Sequence, residues 1–262
     1  MSGILTSTYV ERDGLLWSPL LGSIGLVAGF TTKAQGSMAG SHHPLEEQAA
    51  NRAALARRLG FTSVARVKQV HGRDVVHVEN AVEPGGGSPR VAGESSVPIA
   101  DAMWTDAPGR LLGVAAADCV PVLVADPRGP IGAAHAGWQG TSLAVATALV
   151  EALVAAGAER ARLVASIGPS IGPCCYAIDK ERAALIRERI GGDALVESDD
   201  RVIFDLWHAN EAQLRAAGVE HIEVAGVCTR SSGAPVWSYR ARGADGKYGT
   251  QLGFIGRPVA RA

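Results

Sequence analysis

The 262-residue chain has little net charge, few aromatic side chains and no long uninterrupted apolar run. Its 25 Lys and Arg against 26 Asp and Glu give a formal charge of −1, so no strong overall field attracts a polyanion, and we expect no nucleic-acid partner. The apolar stretch over 15–30 is interrupted by Pro19, Gly22 and Gly25 and is too short to span a bilayer. The first residues lack a basic leader, so we expect a cytoplasmic protein without a membrane partner.

Cysteine is also scarce. The chain has 4 cysteines, and two of them, Cys174 and Cys175, are adjacent. In a chain of this size without an export signal, we expect all of them to be reduced. Adjacent residues on an extended segment point to opposite faces, so we expect one thiol of this pair to be buried and the other to face outward, without a joint chelate.

Hydrophobic residues make up 47% of the sequence and aromatic residues only 5%, which predicts a core built mainly of Val, Ala, Leu and Ile. Neither internal repeats nor a change in composition divides the chain. We therefore expect one α/β (α+β) domain over residues 1–262.

Short apolar runs and the residues that bound them predict the secondary structure. Strands are predicted over 15–17, 25–30, 64–70, 75–78, 111–117, 122–125, 131–135, 163–167 and 221–227, the last clear strand. Helices are predicted over 44–60, 141–157, 179–190 and 205–218. Residues 81–98 are predicted to form a surface loop, and Pro121 is expected to break any strand ladder next to Cys119.

Three residues with metal-binding side chains lie beside glycine or proline at the ends of apolar strands. They are His71 in KQVHG, Cys119 in ADCVP and His135 in AHAGW. Two imidazoles and a thiolate suit Zn²⁺, with copper as the alternative, and three protein ligands leave one position for water or substrate. The trio indicates a catalytic metal site, although each residue taken singly is also explained by packing or by hydrogen bonding to the backbone.

Residues next to the trio extend this hypothesis. Asp118 precedes Cys119 and is a candidate for orienting an imidazole or accepting a proton. Residues 137–141 open a helix whose free N–H groups suit an anion, or else form a tight turn that needs glycine. Lys68, Arg73 and Arg240 would supply positive charge, although Arg73 is better explained as an exposed cation.

Longer motifs recur in one order over most of the chain. They are FTT at 30–32, KQVHG at 68–72, ADCVPV at 117–122, AAHAGW at 133–138, IGPSIGPCCY at 167–176, FDL at 204–206 with AN at 209–210, CT at 228–229 and SYR at 238–240. With these motifs the sequence resembles the multicopper polyphenol oxidase-like, or laccase-domain, family, whose members are described as purine nucleoside phosphorylases.

The resemblance implies a sandwich of β layers flanked by helices, with His71, Cys119 and His135 as zinc-type ligands. It also implies cleavage of adenosine by phosphate, phosphorolysis of inosine and methylthioadenosine, and deamination of adenosine. The expected partners are therefore a purine nucleoside and phosphate, and we expect a monomer or weak homodimer. The expected catalytic residues are the three ligands and Asp118. The motif residues expected to bind substrate are Lys68, Gln69, Gly137, Trp138, Gln139 and Arg240.

Some positions depart from the family pattern. Lys33 follows the Thr-Thr pair and Gln139 follows Gly-Trp where arginine is usual, and residues 236–242 alter the usual aromatic-Ser-x-Arg-Arg segment. Each change removes a planar guanidinium fork of the kind that binds phosphate with two hydrogen bonds. Phosphate affinity and the identity of the nucleophile are therefore open questions for this sequence.

Competing functions follow from the same residues. A blue copper with a trinuclear cluster consumes about ten histidines, several in His-x-His pairs, whereas this chain has 7 histidines and no such pair. That leaves at most weak copper-dependent phenol oxidation.

Alternatively, Cys119 is a nucleophile with His71 or His135 as its base, in a cysteine amidase that edits peptidoglycan precursors. A non-enzymatic interaction module is less favoured, because glycine-rich turns surround the reactive side chains.

Overall fold

Three β-sheets organise the chain in the computed structural model, which describes residues 9–78, 97–198 and 201–259. The first sheet, in spatial order, contains β1 Val10–Arg12, β2 Leu15–Trp17, β3 Val27–Thr31, β15 Gln251–Gly256, β7 Leu111–Ala116 and β4 Val64–Ala65. The second contains β14 His221–Val224, β10 Val164–Ile167, β8 Val120–Ala125, β9 Ile131–Ala136, β6 Ala102–Thr105 and β5 Val75–His77. The third contains β11 Ala177–Ile178, β13 Arg201–Phe204 and β12 Leu195–Ser198.

Six α-helices accompany these sheets within the described ranges. They are α1 Pro19–Ser23, α2 Leu45–Leu59, α3 Trp138–Ser142, α4 Val145–Ala155, α5 Lys180–Ile190 and α6 Leu206–Ala216. The first and second sheets are mixed, because β4 pairs parallel with β7, β5 with β6, and β10 with β14, while their other neighbours are antiparallel. None of the described helices combines the length and apolar composition that a membrane crossing requires.

The two six-stranded sheets pack face to face and are covered by helices on their outer faces. Phe30 and Ile255 of the first sheet meet Met103 and Leu123 of the second in one buried cluster. A second cluster joins α2 to the outer face of the first sheet, and a third joins α4, α5 and α6 to the outer face of the second. Alternation of side chains along each strand gives both sheets two buried faces. The predicted sandwich of mixed sheets flanked by helices is confirmed.

The helix predicted over 44–60 is observed as α2, and the charged residues and glycine near its ends explain where it begins and ends. α2 has Glu46 and Glu47 in its first turn and Arg57 and Arg58 in its last, and the chain leaves it at Gly60 with φ 83°. Acidic side chains favour the positive end of a helix dipole and basic ones the negative end. Glycine adopts the left-handed conformation at the C-cap without steric cost.

Other predicted elements differ from those observed. The strand predicted over 64–70 shrinks to β4, and the strand predicted over 75–78 is observed as β5 in the other large sheet. Pro121 does not break a ladder, because it lies inside β8 opposite His135, beyond the point at which β10 pairing ends at Val122. β15 was not predicted, since its two glycines dilute the apolar signal. The loop predicted over 81–98 lies almost wholly outside the described residues.

The helix predicted over 141–157 is divided into α3 and α4 at Ala144, whose φ is 60°. The break coincides with side-chain hydrogen bonds from α6. Asn210 Nδ2 donates to Thr141 Oγ1 at 3.0 Å, and Gln213 Nε2 donates to the Thr141 carbonyl at 2.8 Å. The Thr141 carbonyl, which also accepts the Ala144 N–H at 2.9 Å, is therefore bonded to another helix, and this is a tertiary contact that local sequence does not report.

Candidate metal centre

Three separate segments bring His71, Cys119 and His135 together. His71 lies between β4 and β5, Cys119 lies between β7 and β8, and His135 lies near the end of β9. One potential ligand atom from each residue lies within 4.8 Å of the others. The convergence expected from the sequence is therefore present in the structure, and its donor atoms are two imidazole nitrogens and one sulfur.

Two of these segments pass from one large sheet to the other. The chain leaves the first sheet at β4 and enters the second at β5, and it makes the same change between β7 and β8. Each passage contains a non-glycine residue in the left-handed region, His71 with φ 62° and Asp118 with φ 84°. Such residues cost on the order of 1–3 kcal/mol and persist where the surrounding structure holds them. Two of the four non-glycine residues with positive φ in the described parts of the chain therefore lie at the candidate centre, the others being Asp13 and Ala144.

Asp101 holds two of the ligands and was not identified from the sequence. Its buried carboxylate accepts hydrogen bonds from the backbone N–H groups of Val70 at 3.1 Å, His71 at 2.9 Å and Gly72 at 2.6 Å. It also lies 2.9 Å from Nδ1 of His135. A proton on Nδ1 donated to Asp101 leaves Nε2 of His135 free to bind a metal. The same carboxylate thus fixes the strained His71 turn and the tautomer of His135.

The electrostatics of the centre favour charged partners. Burial opposes ionisation of Asp101, but hydrogen bonds from His135 and from the Gly72 and Val70 N–H groups outweigh it and lower the carboxyl pKa. Burial likewise opposes charge on Cys119 and His135, yet their mutual attraction outweighs it. Together with the hydrogen bond that His71 donates to Cys119 and the one that His135 donates to Asp101, this attraction lowers the pKa of the thiol and raises that of the imidazole. The pair therefore favours a thiolate, which is the form of cysteine that binds metals or attacks electrophiles.

Gly137 leaves space for the ligands. A Cβ atom at this position would lie 2.7 Å from Sγ of Cys119 and 3.1 Å from Cδ2 of His71. Any side chain there would displace one of the two ligands, so this glycine is required by close approach. The helix that it begins, α3, has only five residues, so the dipole at its N-terminus is weak.

A cleft of about 480 Å³ opens next to the three ligands. It is lined by Ala39, Gly40, Arg66, Val67, Lys68, Gln69, His71, Ala115, Ala116, Ala117, Cys119, His135, Tyr239, Tyr248 and Thr250. Tyr239 and Tyr248 meet edge to face, with ring centroids 5.2 Å apart. A cleft of this size with aromatic and cationic walls suits a small organic ligand that carries a ring and a negative charge.

Two of the predicted substrate-binding residues line this cleft from the segment before His71. Lys68 is exposed there and available to a ligand. Gln69 is already engaged, since its Nε2 donates to the Ala115 carbonyl at 2.8 Å and its Oε1 accepts from the Ala115 N–H at 2.9 Å. Gln69 therefore fixes the wall of the cleft and has no free amide group directed at a ligand.

Trp138, Gln139 and Arg240 are not among the residues that line the cleft in the described parts of the chain. The Trp138 ring packs against the core under the Arg182 guanidinium, with Cζ 4.7 Å from the ring centroid. The Arg240 guanidinium lies 5.0 Å from the ring centroid of Tyr176. Gln139 is exposed on α3. The structure brings His71, Cys119 and His135 together but leaves Trp138, Gln139 and Arg240 outside the cleft.

Asp118 has a different partner from the one expected. Its carboxylate accepts hydrogen bonds from Thr229 Oγ1 at 2.6 Å and from the Arg240 N–H at 2.7 Å. At the candidate centre, the carboxylate that contacts an imidazole is that of Asp101, which is hydrogen-bonded to His135. Asp118 instead holds the segment before Cys119 against the residues that follow β14.

A second cleft, of about 440 Å³, adjoins the first through Tyr248, which lines both. Its walls include Lys33, Arg230, Arg242 and Lys247. Four cationic side chains around one cleft attract anions. Positive charge is thus present beside the candidate centre although the usual arginines of the family pattern are absent at positions 33 and 139.

Asp101, Arg66, Tyr239 and Tyr248 are the features of the site that the sequence did not reveal. Only Asp101 had a local signal, because it is an acidic residue directly before the apolar strand β6. The tyrosines lie far along the chain from the trio, and no spacing rule connects them to it. Their place in the cleft depends on the packing of residues 239–250 beside β15.

Fold and site together define an α/β protein with a His–Cys–His cluster where two packed sheets meet. Residues 29–258 match the family model described as multi-copper polyphenol oxidoreductase laccase. The chain therefore belongs to this family, and the resemblance noted in its motifs is confirmed.

Relatives named purine nucleoside phosphorylase are similar over most of their length. The purine nucleoside phosphorylase of Deinococcus radiodurans is 39% identical over 254 residues, which cover 92% of this chain and 93% of that protein. The purine nucleoside phosphorylase YlmD of Geobacillus stearothermophilus is 35% identical over 259 residues, covering 89% and 90%. The crystal structure of that YlmD superposes with a TM-score of 0.82, at 33% identity, over 97% of this chain and 100% of its own.

Proposed function

We propose that this protein is a zinc-dependent purine nucleoside phosphorylase that cleaves adenosine, and also inosine and methylthioadenosine, with phosphate, and that it also deaminates adenosine. The observation that carries the proposal is the convergence of His71, Cys119 and His135 within 4.8 Å beside a cleft of small-ligand size. The names of the relatives supply the reaction class.

The residues of the centre fit a zinc ion. His71, Cys119 and His135 would hold it, since two nitrogens and a thiolate form a borderline donor set of the kind found in catalytic zinc sites. The carboxylate of Asp101 behind His135 is the supporting arrangement that zinc-binding histidines usually have. When bound, zinc supplies a Lewis acid that lowers the pKa of water and stabilises negative charge.

The chain itself contributes binding and orientation. Asp101 keeps the Nδ1 proton of His135 directed away from the cleft. Tyr239 and Tyr248 offer aromatic surfaces to a purine, while Lys68 and Arg66 place positive charge at the same cleft for phosphate. Holding nucleoside and phosphate side by side accounts for much of the rate that such an enzyme provides, because the reaction needs phosphate correctly placed at the ribose.

Product chromatography of adenosine incubated with the zinc-loaded protein tests the proposal. With phosphate present we expect adenine and ribose 1-phosphate, and without phosphate we expect inosine from deamination. Cys119→Ser should lower the phosphorolysis rate by about 100- to 1,000-fold, because a group that stabilises charge in the transition state is lost. His208→Gln, an exposed histidine on α6, is the matched control and should keep the wild-type rate. Absence of both products from the zinc-loaded wild type would rule out the proposal.

A cysteine amidase acting on peptidoglycan precursors is the second candidate, and one observation favours it. Asp101, His135 and Cys119 follow one another in hydrogen-bonded order, as the acid, base and nucleophile of a cysteine hydrolase do. A metal-free protein that is active and is inactivated by iodoacetamide at Cys119 would support this alternative. Stoichiometric zinc that disappears in Cys119→Ala would instead support metal binding.

A further inference from the structure

A second group of thiols lies outside the candidate centre. The sulfur atoms of Cys174, Cys175 and Cys228 all lie within 4.8 Å of one another, and those of Cys174 and Cys175 are 3.6 Å apart. Cys174 is exposed, Cys175 is partly buried and Cys228 is buried. All are free thiols, as expected from the sequence. The group is therefore reachable from solvent on one side and held by the core on the other.

The two adjacent cysteines face the same way because their segment is not extended. The N–H groups of Cys175 and Tyr176 donate to the Gly172 carbonyl at 2.9 and 3.1 Å, which closes a turn over 172–176. In a turn, successive side chains do not alternate by 180° as they do on a strand. The expectation that the two thiols point to opposite faces is therefore wrong, and the turn makes joint binding of one ion possible.

Cys228 is brought to this turn by backbone pairing. The chain at Cys228 forms a parallel bridge with Ser170, and the Thr229 N–H donates to the Ser170 carbonyl at 2.9 Å. The Gly172 N–H lies 3.3 Å from Sγ of Cys228 and donates to it. The turn and the bridge fix the positions of the sulfur atoms in the folded chain.

The donor set determines which ion suits the group. Three sulfurs without an imidazole or a carboxylate form a soft site, and soft thiolates favour Cu(I), Zn²⁺ and iron–sulfur clusters. Iron–sulfur clusters are usually held by four cysteines, one more than this group has. Structural Zn²⁺ prefers four ligands in a tetrahedron, whereas this group offers three. We propose that Cys174, Cys175 and Cys228 form a second metal site that binds Cu(I), separate from the His71–Cys119–His135 centre.

The two groups differ in chemistry and share no residue. The centre at His71 contains two nitrogens and one sulfur, while the thiol group contains sulfur alone. Each thiol that binds Cu(I) releases its proton to solvent, so no oxidant or reductant is needed. Because the thiol group is the softer of the two, we expect Zn²⁺ and Cu(I) supplied together to bind at different places, Zn²⁺ at the His71–Cys119–His135 centre and Cu(I) at the thiol group.

An anaerobic competition titration tests the proposal. Full-length protein is first loaded with one equivalent of Zn²⁺, and Cu(I) is then supplied as its acetonitrile complex against a chromophoric Cu(I) chelator. We expect the wild type to bind one Cu(I) per chain without releasing zinc. Cys174→Ser and Cys175→Ser should each weaken Cu(I) binding by more than about tenfold, since loss of a ligand costs at least as much as loss of its supporting hydrogen bonds. Cys119→Ser is the matched control, which should lose zinc but keep Cu(I).

Two outcomes would overturn the proposal. One is Cu(I) binding at wild-type affinity by folded Cys174→Ser and Cys175→Ser proteins. The other is Cu(I) that displaces zinc from the wild type and fails to bind Cys119→Ser, which would assign the copper to the first centre. Because Cys174 is exposed, its serine variant should fold normally, and circular dichroism checks this. The buried Cys228 is not needed for a decisive result.

Discussion

A fully buried carboxylate lies at each end of the β8–β9 hairpin, Asp126 in its turn and Asp101 packed against it from the residue before β6, and the two have different roles. Asp126 lies at the turn that joins the strands, and Asp101 lies beside His135 at the opposite end. Burying a carboxylate is unfavourable unless it is paired and hydrogen-bonded, and both are. The difference lies in the partner, which is a permanent cation at one end and a titratable ring at the other.

At the turn, Asp126 is paired with an arginine. Its oxygens accept from the N–H groups of Arg128 at 2.9 Å and Glu159 at 3.0 Å. Nε and Nη2 of Arg162 donate to the two oxygens at 3.2 and 2.9 Å. This geometry serves stability, because a two-point Arg–carboxylate contact is strong and does not titrate near neutral pH.

At the other end, the Asp101 carboxylate accepts hydrogen bonds from the strained backbone at His71 and from the ring of His135, a candidate metal ligand. It supports the left-handed His71 and the ring of His135, while Asp118, also left-handed, precedes Cys119. Stability and ligand geometry are thus assigned to opposite ends of one pair of strands. Substitutions at either end of the hairpin test that division.

The largest effect is expected from Asp126→Ala. Removal of the carboxylate leaves Nε and Nη2 of Arg162 and two backbone N–H groups without their acceptor, while Arg162 keeps its contact with Glu159, so we expect the free energy of unfolding to fall by about 3 kcal/mol. The nucleoside rate per folded molecule should not change. Urea denaturation measures the loss, and Glu151→Ala is the control, since its pair with Arg160 is exposed and worth about 0–1 kcal/mol. Equal losses in the two variants would contradict the comparison.

Asp101→Asn should act on the metal. The amide cannot accept from Nδ1 of His135 and from three N–H groups as the carboxylate does, so zinc affinity should fall by about 10- to 100-fold. Competition with a chromophoric chelator measures this. Asp106→Asn is the control, because Asp106 contacts His77 at 3.4 Å on the surface. Zinc affinity within about twofold of wild type in Asp101→Asn would show that the carboxylate does not support the ligand.

Arg257→Lys tests the contribution of the β8–β9 turn to stability with a smaller change than Asp126→Ala. Arg257 donates to the carbonyls of Pro127, Asp126 and Gly129 at 2.9, 2.9 and 3.0 Å. Lysine keeps the charge but cannot reproduce the planar fork, so we expect about 1 kcal/mol less stability and unchanged zinc binding. Arg187→Lys, at an exposed pair, should change stability by less than about 0.5 kcal/mol. A drop in zinc affinity for Arg257→Lys would mean that the two ends are coupled.

The smallest effect concerns pH. Burial opposes ionisation of Asp126, but Arg162 and the N–H groups of Arg128 and Glu159 outweigh it and lower its pKa from the ordinary value of 3.8. The unfolded chain therefore takes up this proton first as pH falls, so the stability that Asp126 contributes is present above pH 3.8 and is lost as pH falls from there through the folded pKa. The stability difference between wild type and Asp126→Asn should shrink below that pH in urea titrations. A difference that stays constant would refute the assignment.

Sequence reasoning was effective where the signal is local. The charges and Gly60 of α2 predict its ends, and glycine or proline beside His71, Cys119 and His135 indicated the trio before any geometry was known. Asp179 and Asp205 were correctly expected to begin α5 and α6, where each accepts a backbone N–H.

The remaining features depend on contacts between distant segments. Asp101 bonds to residues about thirty positions away on both sides, and nothing in its own neighbourhood specifies those partners. The break at Ala144 follows from side chains on α6, and the meeting of Cys174 with Cys228 follows from a backbone bridge. Periodicity describes one element at a time, so it could not supply these arrangements.

The passage of the chain from one large sheet to the other at His71 and again at Cys119 has a consequence for how long the protein survives. An ion bound by His71, Cys119 and His135 would act as a removable cross-link between the two large sheets. At a free metal concentration 100 times its Kd, such a cross-link adds about 2.7 kcal/mol to the folded state. The supply of metal would then set the amount of folded protein as well as its catalytic rate.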